Sequence, residues 1–121
     1  MAAGDARPYP NGMTQAQTAR VTLVTIIGAS ELQDRLLDDV RSAGARGYTF
    51  AQVGGGGLHG PRRRGLWEVG NVRIELLVSR EVATRVLACV DENYKGQSVI
   101  AFQQEVEAAP HEHFTREAGS G

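Results

Sequence analysis

The residues best suited to chemistry lie together in one glycine- and arginine-rich stretch. Four consecutive glycines (54–57) are followed by Leu58, His59 and three arginines (62–64). The N–H groups of glycines are uncovered and can turn inward around an anion. Each arginine adds a permanent charge and a planar donor fork that suits phosphate or carboxylate. The stretch is therefore predicted to bind an anion, although a solvated basic loop would have the same composition.

A tryptophan and an arginine–glutamate pair after the glycines are further candidates for contact with a ligand or a partner. An indole in a loop either closes over a ligand or anchors a protein partner, because its apolar area is wasted in water. Trp67 is predicted to do one of these two things. Arg73 and Glu75 are two positions apart, so in a strand they lie on one face. They could form an ion pair, within the chain or between subunits, or Arg73 could contact a ligand.

The sequence offers no set of residues that could catalyse a reaction. The single cysteine, Cys89, has no histidine near it in the sequence and is interpreted as a small core residue. His111 and His113 flank Glu112, but two histidines and one carboxylate in a tail do not fix a metal geometry. We therefore expect neither an enzyme nor a metal site.

Composition narrows the class of protein and its partners. The chain has 121 residues, of which 41% are hydrophobic and 22% charged, with a net charge of −1. This balance suits one domain with a core, and no overall positive charge favours a nucleic-acid partner. One cysteine agrees with a reducing compartment, and no apolar stretch approaches the ~20 residues that cross a bilayer. A cytoplasmic protein is expected.

The elements that must position these residues alternate as strand, helix, strand, strand, helix, strand. Strands are predicted at residues 20–27, 47–53, 72–78 and 97–107. The first helix is predicted to be capped by Ser30, with Gln33 in the reciprocal capping-box position, and to end at Gly44. The second helix, residues 80–94, is predicted to be capped by Ser79.

Each predicted element has one apolar face. On the first helix this face contains Leu32, Leu36, Leu37, Val40 and Ala43, and on the second Val82, Val86, Val90 and Tyr94. In the third strand, Val72, Ile74, Leu76 and Val78 point one way, whereas Arg73, Glu75 and Leu77 point the other.

Two strand–helix–strand units in succession predict an α+β fold, the ferredoxin-like βαββαβ sandwich. Right-handed crossovers place both helices on one face of an antiparallel sheet. Residues such as Leu77 and Val24 would leave the other face partly apolar, which favours an oligomer. The domain is expected to span residues 20–109, between a flexible lead (1–19) and a flexible tail (110–121).

The connection between the second and third strands is unusually long. It runs from residue 54 to 70, whereas hairpin loops usually have two to five residues. Together with the sequence Gly-Ala-Arg-Gly-Tyr-Thr at 44–49 and the glycines at 55–57, this arrangement resembles the PII signal-transduction family over roughly residues 20–109. The sequence Gly-Leu-His-Gly-Pro-Arg at 57–62 is similar to PII-like proteins associated with carboxysomes and inorganic-carbon uptake.

The resemblance implies a homotrimer that binds adenine nucleotides in clefts between subunits and signals through the long loop, the T-loop. The stretch that would hold the phosphates, 93–98, contains only one lysine, so ADP or AMP is favoured over ATP. The subfamily implies bicarbonate as a second ligand, and a bicarbonate transporter or carboxysome component as partner. Residues 54–70 contain no Tyr, Ser or Thr, so modification of a hydroxyl in this loop is not expected.

The resemblance also assigns roles to individual residues. Nucleotide binding is expected from Gly47, Thr49, Gly55, Gly57, His59, Arg62, Leu77, Lys95, Gly96, Gln97 and His111. Bicarbonate binding is expected from Gly57, Leu58, His59, Arg62 and Arg73. Arg63 and Arg64, which follow Arg62 in the sequence, are expected to face solvent or a protein partner.

Two other kinds of protein share this fold and remain open at this point. One is a metal-binding or structural trimer of the CutA type, which would bind metal and show no nucleotide effect. The other is an acylphosphatase-like enzyme, whose loop also cradles phosphate and which would be a monomer that turns over acyl phosphates.

Overall fold

A four-stranded antiparallel sheet with two helices forms the body of the protein in the computed structural model. The structure describes residues 17–57, 60–61 and 70–114. The elements are β1 (Ala19–Ala29), a 3-10 turn (Ser30–Leu32), α1 (Gln33–Ser42), β2 (Thr49–Val53), β3 (Gly56–Gly57), β4 (Gly60–Pro61), β5 (Asn71–Val78), α2 (Arg80–Asn93) and β6 (Val99–Ala108).

The strand order confirms the predicted ferredoxin-like sandwich. The sheet has the order β2-β5-β1-β6, and each neighbouring pair is antiparallel. β1 and β5 are therefore central, and β2 and β6 form the two edges. The predicted strands are present with shifted ends, since β2 begins at Thr49 rather than at 47 and β6 runs from Val99 to Ala108.

The core lies between the sheet and the two helices, because the apolar faces of both helices and of the central strands turn toward it. From the helices it receives Leu36, Leu37, Val40, Val82 and Val86, and from the central strands Val24, Ile26, Ile74 and Leu76. In β5 the buried positions alternate with more exposed ones along the strand. Both helices thus cover the same face of the sheet, as predicted. The prediction that Val24 makes the opposite face apolar is wrong, because this residue pairs with Leu76 and is fully buried under the helices.

The opposite face of the sheet is uncovered and partly apolar. Leu77, Ile100 and Phe102 are 42%, 59% and 43% exposed, and the pairing register places them on the side away from the helices. We call this surface, together with Leu23 and Ile27 of β1, the open face. In the described part of the chain, no helix is long and apolar enough to span a membrane.

The helix ends agree with the sequence in two cases and disagree in one. The Ser79 hydroxyl accepts a hydrogen bond from the Val82 N–H at 3.2 Å, which confirms the predicted cap of α2. Gly44 has a φ of 115° directly after α1, so the predicted end of that helix is also confirmed. The predicted capping box at Ser30 and Gln33 is wrong, because no side chain caps the first turn.

The side chains of the predicted capping box bond across to the sheet instead. Ser30 Oγ donates to Gln52 Oε1 at 2.8 Å, and Gln52 Nε2 donates to Gln33 Oε1 at 3.0 Å. Gln52 of the edge strand β2 thus takes the place of the backbone groups that Ser30 and Gln33 would contact in a capping box. The Ser30 N–H donates to the Gly70 carbonyl at 2.9 Å, which ties this corner to the second arm of the long loop.

Candidate ligand-binding cleft

A cleft of about 450 Å³ opens beside the beginning of β2. Its lining comes from β1 and β5, from the segment between α1 and β2, from the start of α2, and from the turn that follows β6. The lining residues are Val21, Leu23, Gly44, Arg46, Gly47, Tyr48, Thr49, Glu75, Leu77, Val78, Ser79, Val82, His113 and Phe114.

Three of the residues predicted to bind nucleotide meet in this cleft. The left-handed backbone at Gly44 ends α1, and the chain then passes Gly47 to enter β2 at Thr49. Thr49 pairs with Glu75 in the sheet, which puts this exposed residue beside the central strands. Leu77, two residues further along β5, supplies an apolar wall on the same face. The structure therefore brings Gly47, Thr49 and Leu77 together.

A second group of predicted residues lies at the opposite end of the sheet. The Ala29 N–H donates to the Ser98 carbonyl, so Lys95, Gly96 and Gln97 lie near the C-terminal end of β1. The first arm of the long loop is at this end too, since Asn71, the partner of Ala29, donates from Nδ2 to the Gly55 carbonyl.

These two groups of predicted residues lie near opposite ends of the sheet within one chain. From Leu77 to Asn71 along β5 the distance is about 20 Å, at ~3.3 Å per residue. The Lys95 ammonium is also held locally, 3.3 Å from Asp91 Oδ1. Within one chain, Lys95 therefore lies near the end of the sheet opposite to the cleft.

The arginine–glutamate pair on β5 is an ion pair, one of the two alternatives that the sequence left open. Nε and Nη2 of Arg73 both lie 3.1 Å from Glu75 Oε2. Both side chains are partly exposed on the open face, and Glu75 also lines the cleft. A contact of Arg73 with bicarbonate stays a prediction, and it would have to compete with Glu75.

The turn after β6 contributes two cleft residues that the sequence analysis missed. The His113 N–H donates to the Pro110 carbonyl, and this turn places His113 and Phe114 in the cleft wall. The predicted residue of this segment, His111, belongs to the same turn but not to the lining. Phe114 is the one large apolar residue in the segment assigned to a flexible tail, a signal that could have marked it as packed.

The cleft contains charged groups of both signs. The titratable group of the described residues whose pKa is clearly raised lies outside it. Arg46 and the Arg73–Glu75 pair border the cleft or lie next to it. Outside it, burial raises the pKa of Tyr94 above the usual range, and a 2.6 Å hydrogen bond from its hydroxyl to Asp39 Oδ2 raises that pKa further. This tyrosine joins α2 to α1 and has a structural role.

Several predicted residues lie outside the described part of the chain. These are Leu58, His59 and the 62–69 segment with Arg62 and Trp67. Gly57 is described as part of a short ladder in which Gly56 pairs with Pro61 and Gly57 with Gly60. Among the described residues, no three His, Cys, Asp or Glu side chains form a group that could hold a metal ion.

Comparisons with known proteins agree with this geometry. Residues 21–111 match the family described as Nitrogen regulatory protein P-II. A structure described as a PII-like signalling protein, from Thermus thermophilus, is 35% identical, with a TM-score of 0.67, and the match covers 81% of this chain and 98% of that one. A search of curated proteins gives no match.

Two other solved structures show the same fold at lower identity. CPII from Thiomonas intermedia, bound to ADP and bicarbonate, is 20% identical with a TM-score of 0.69, over 78% of this chain and 93% of that one. The GlnK–ATP complex of B. subtilis is 22% identical with a TM-score of 0.54, over 72% of this chain and 84% of that one.

Proposed function

This chain belongs to the PII family of nitrogen regulatory proteins, and from that premise we propose that it is a sensor of ADP or AMP and of bicarbonate. PII proteins are signalling regulators, not enzymes, and they are homotrimers that bind small-molecule effectors. Family membership therefore decides against the acylphosphatase-like and CutA-like alternatives. The nucleotide, the bicarbonate and the protein partner are the proposed parts.

The observation that carries the nucleotide proposal is the division of one site into two halves. The lining of the cleft includes Gly47, Thr49 and Leu77 but not the lysine-bearing segment, which lies near the other end of the sheet. A neighbouring subunit that places its own copy of residues 95–97 against this cleft would complete the site. An adenine ring would then pack on the apolar wall, and its phosphates would face the lysine.

The segment at residues 95–97 favours a nucleotide with few phosphates. Lys95 supplies a single point charge, and its ion pair with Asp91 is exposed on both sides, so the pair is weak and the ammonium can change partners. One such cation suits ADP or AMP better than a triphosphate. The Thiomonas protein of the same fold holds ADP together with bicarbonate, which supports this choice.

Bicarbonate is proposed to bind at the base of the T-loop. The expected contacts are Gly57, Leu58, His59 and Arg62, with Arg73 available if it leaves Glu75. The loop would become ordered around the anion and present Trp67 to a partner, proposed to be a bicarbonate transporter or a carboxysome component in the cytoplasm.

The nucleotide proposal is tested by titrating ADP, AMP, ATP and cyclic AMP into the protein in a calorimeter. Thr49→Val removes the hydroxyl from the cleft and keeps the shape, so ADP affinity should fall about two- to tenfold for one lost hydrogen bond. Thr84→Val is the matched control, because the Thr84 hydroxyl is exposed on α2 and donates to the Arg80 carbonyl, away from the cleft. Equal ADP affinities for the two variants would remove Thr49 from the site.

The bicarbonate proposal is tested by coupling. If both ligands order the same loop, saturating bicarbonate should tighten ADP, and ADP should tighten bicarbonate by the same factor. A coupling of about 1–3 kcal/mol, or roughly five- to 150-fold, is expected. An ADP affinity that bicarbonate leaves unchanged would make the protein a nucleotide sensor alone.

A further inference from the structure

The turn that follows β6 adds an aromatic surface to the cleft. The register pairs Ala19 with Ala108, so the chain leaves the sheet at the beginning of β1. The turn over 110–114 then folds back, and both Phe114 and Val21 line the cleft. The C-terminal turn thus adds a wall to the cleft beside the one that Leu77 and Thr49 form.

The two rings of this turn hold each other in a defined arrangement. The centroids of His113 and Phe114 are 4.7 Å apart and their planes make an angle of 84°, an edge-to-face pair. Such pairs are a preferred geometry of aromatic rings and restrict the rotation of both. Phe114 is only half-buried, so part of its surface faces the cleft.

The rest of the lining indicates which part of a ligand this surface would meet. Val21, Leu23 and Leu77 of the strands and Val82 of α2 make this part of the cleft predominantly apolar, whereas phosphates require cations. A planar heteroaromatic ring suits a lining of aliphatic side chains and a phenyl ring, because it can stack on the phenyl face and pack against the aliphatic groups.

We infer that Phe114 is a base-stacking residue that makes this cleft prefer purine over pyrimidine nucleotides, with His113 as the positioning residue that holds the phenyl ring. The inference rests on the proposed nucleotide function and deepens it by naming the group that recognises the base. A purine offers a larger π-surface than a pyrimidine, so the stacking residue should contribute to discrimination as well as to affinity.

The test compares Phe114→Leu with Phe50→Leu in the full chain. Phe50 is an exposed phenylalanine that lies outside the cleft, so its substitution is the matched control. Affinities for ADP and for UDP are measured by calorimetry for the parent and both variants. Phe114→Leu should weaken ADP about five- to a hundredfold, the range expected for loss of one base-stacking contact. It should weaken UDP less, so that the ratio of the two affinities moves toward one, while Phe50→Leu changes neither.

A merely structural role for Phe114 gives a different result. It would lower the affinities for ADP and UDP by the same factor, or would lower only the melting temperature, and either outcome overturns the inference. If the parent itself binds neither nucleotide, the proposed function fails first, so the two failures are distinguishable.

A tryptophan variant keeps the inference testable if the leucine variant does not fold. Phe114→Trp retains an aromatic face, so it should bind ADP as the parent does, and ADP should quench the emission of its added indole. The emission change of the parent, which contains Trp67, is subtracted. Binding of ADP with no additional quenching would show that the ring at position 114 does not meet the base.

Discussion

At the scale of single residues, the sequence identified one wall of the cleft and missed the other. Gly47, Thr49 and Leu77 were assigned through the resemblance to the PII family, and the structure places all three in the lining of the cleft. His113 and Phe114 were missed because their place in the cleft depends on a turn that folds back beside β1, and the apolar Phe114 among polar neighbours was the one local signal of it.

The buried tyrosine that follows α2 gives a prediction of stability at this scale. Tyr94 is 2% exposed, its hydroxyl donates to Asp39 Oδ2, and the Arg35 guanidinium lies 4.6 Å from the ring centroid. Tyr94→Phe should lower the free energy of unfolding at pH 7 by about 1–2 kcal/mol, because a hydrogen bond to a carboxylate is lost. Urea denaturation measures this loss.

Tyr48→Phe is the matched control for that substitution. The Tyr48 hydroxyl accepts a long, 3.4 Å hydrogen bond from Arg41 on the surface, so its loss should change the free energy of unfolding by less than about 0.5 kcal/mol. Equal effects of the two substitutions would contradict the assignment of Tyr94 as the tyrosine that joins the helices.

The raised pKa of Tyr94 predicts how the free energy of unfolding changes at alkaline pH. The pKa of Tyr94 is raised in the folded protein, so above about pH 10 the unfolded chain loses this proton while the folded chain keeps it. The stabilisation from Tyr94 is therefore complete below about pH 10 and decreases as the pH rises, by about 1.4 kcal/mol per pH unit. Tyr94→Phe lacks this dependence, so the difference between parent and variant should shrink between about pH 9 and pH 11. A difference that stays constant would contradict it.

At the scale of elements, local signals were sufficient where a feature depended on a few neighbouring residues. The alternation in β5 and the Ser79 cap are of this kind, and both are present. The predicted Ser30 cap is wrong because the Ser30 hydroxyl bonds to Gln52 of β2. A contact with a distant strand cannot be predicted from the residues of the first helical turn. The proposed division of the ligand site between two ends of the sheet likewise depends on strand order, not on any single motif.

The end of α1 supplies a prediction at this scale. Gly44 has a φ of 115°, and a Cβ there would lie 3.1 Å from Arg85 Nη2 and 3.2 Å from Val82 Cγ2. Gly44→Ala should therefore lower the free energy of unfolding by about 1–2 kcal/mol, the cost of a left-handed backbone for an L-residue. Gly47→Ala is the control, since nothing lies within 4 Å of its Cβ position and its φ is not in the left-handed region. A thermal melt in which both variants lose the same stability would contradict this account.

At the scale of the whole molecule, the exposed apolar residues of the open face and the proposed two-part site both favour association with other copies of the chain. An isolated chain leaves Leu77, Ile100 and Phe102 exposed, and it holds Lys95 near the end of the sheet opposite to the cleft. Association of copies through the open face would bury these apolar side chains and would allow a neighbouring subunit to supply its lysine. PII proteins are homotrimers, and a trimer built through the open face would couple assembly to the proposed ligand binding.

The last prediction tests that link with charges placed on the open face. Ile100→Glu combined with Phe102→Glu would bury two carboxylates in the interface, and an unpaired buried charge is far more costly than the apolar contact it replaces. Sedimentation at micromolar concentration should show a trimer for the parent and a monomer for the double variant. Phe50→Glu places the same charge on an exposed phenylalanine of the other sheet face and should remain trimeric. Because the cleft residues of the double variant are untouched, its ADP affinity reports whether a neighbour is needed. A monomer that binds ADP as tightly as the trimer would show that one chain holds the whole site, and the partition inferred from strand order would then be wrong.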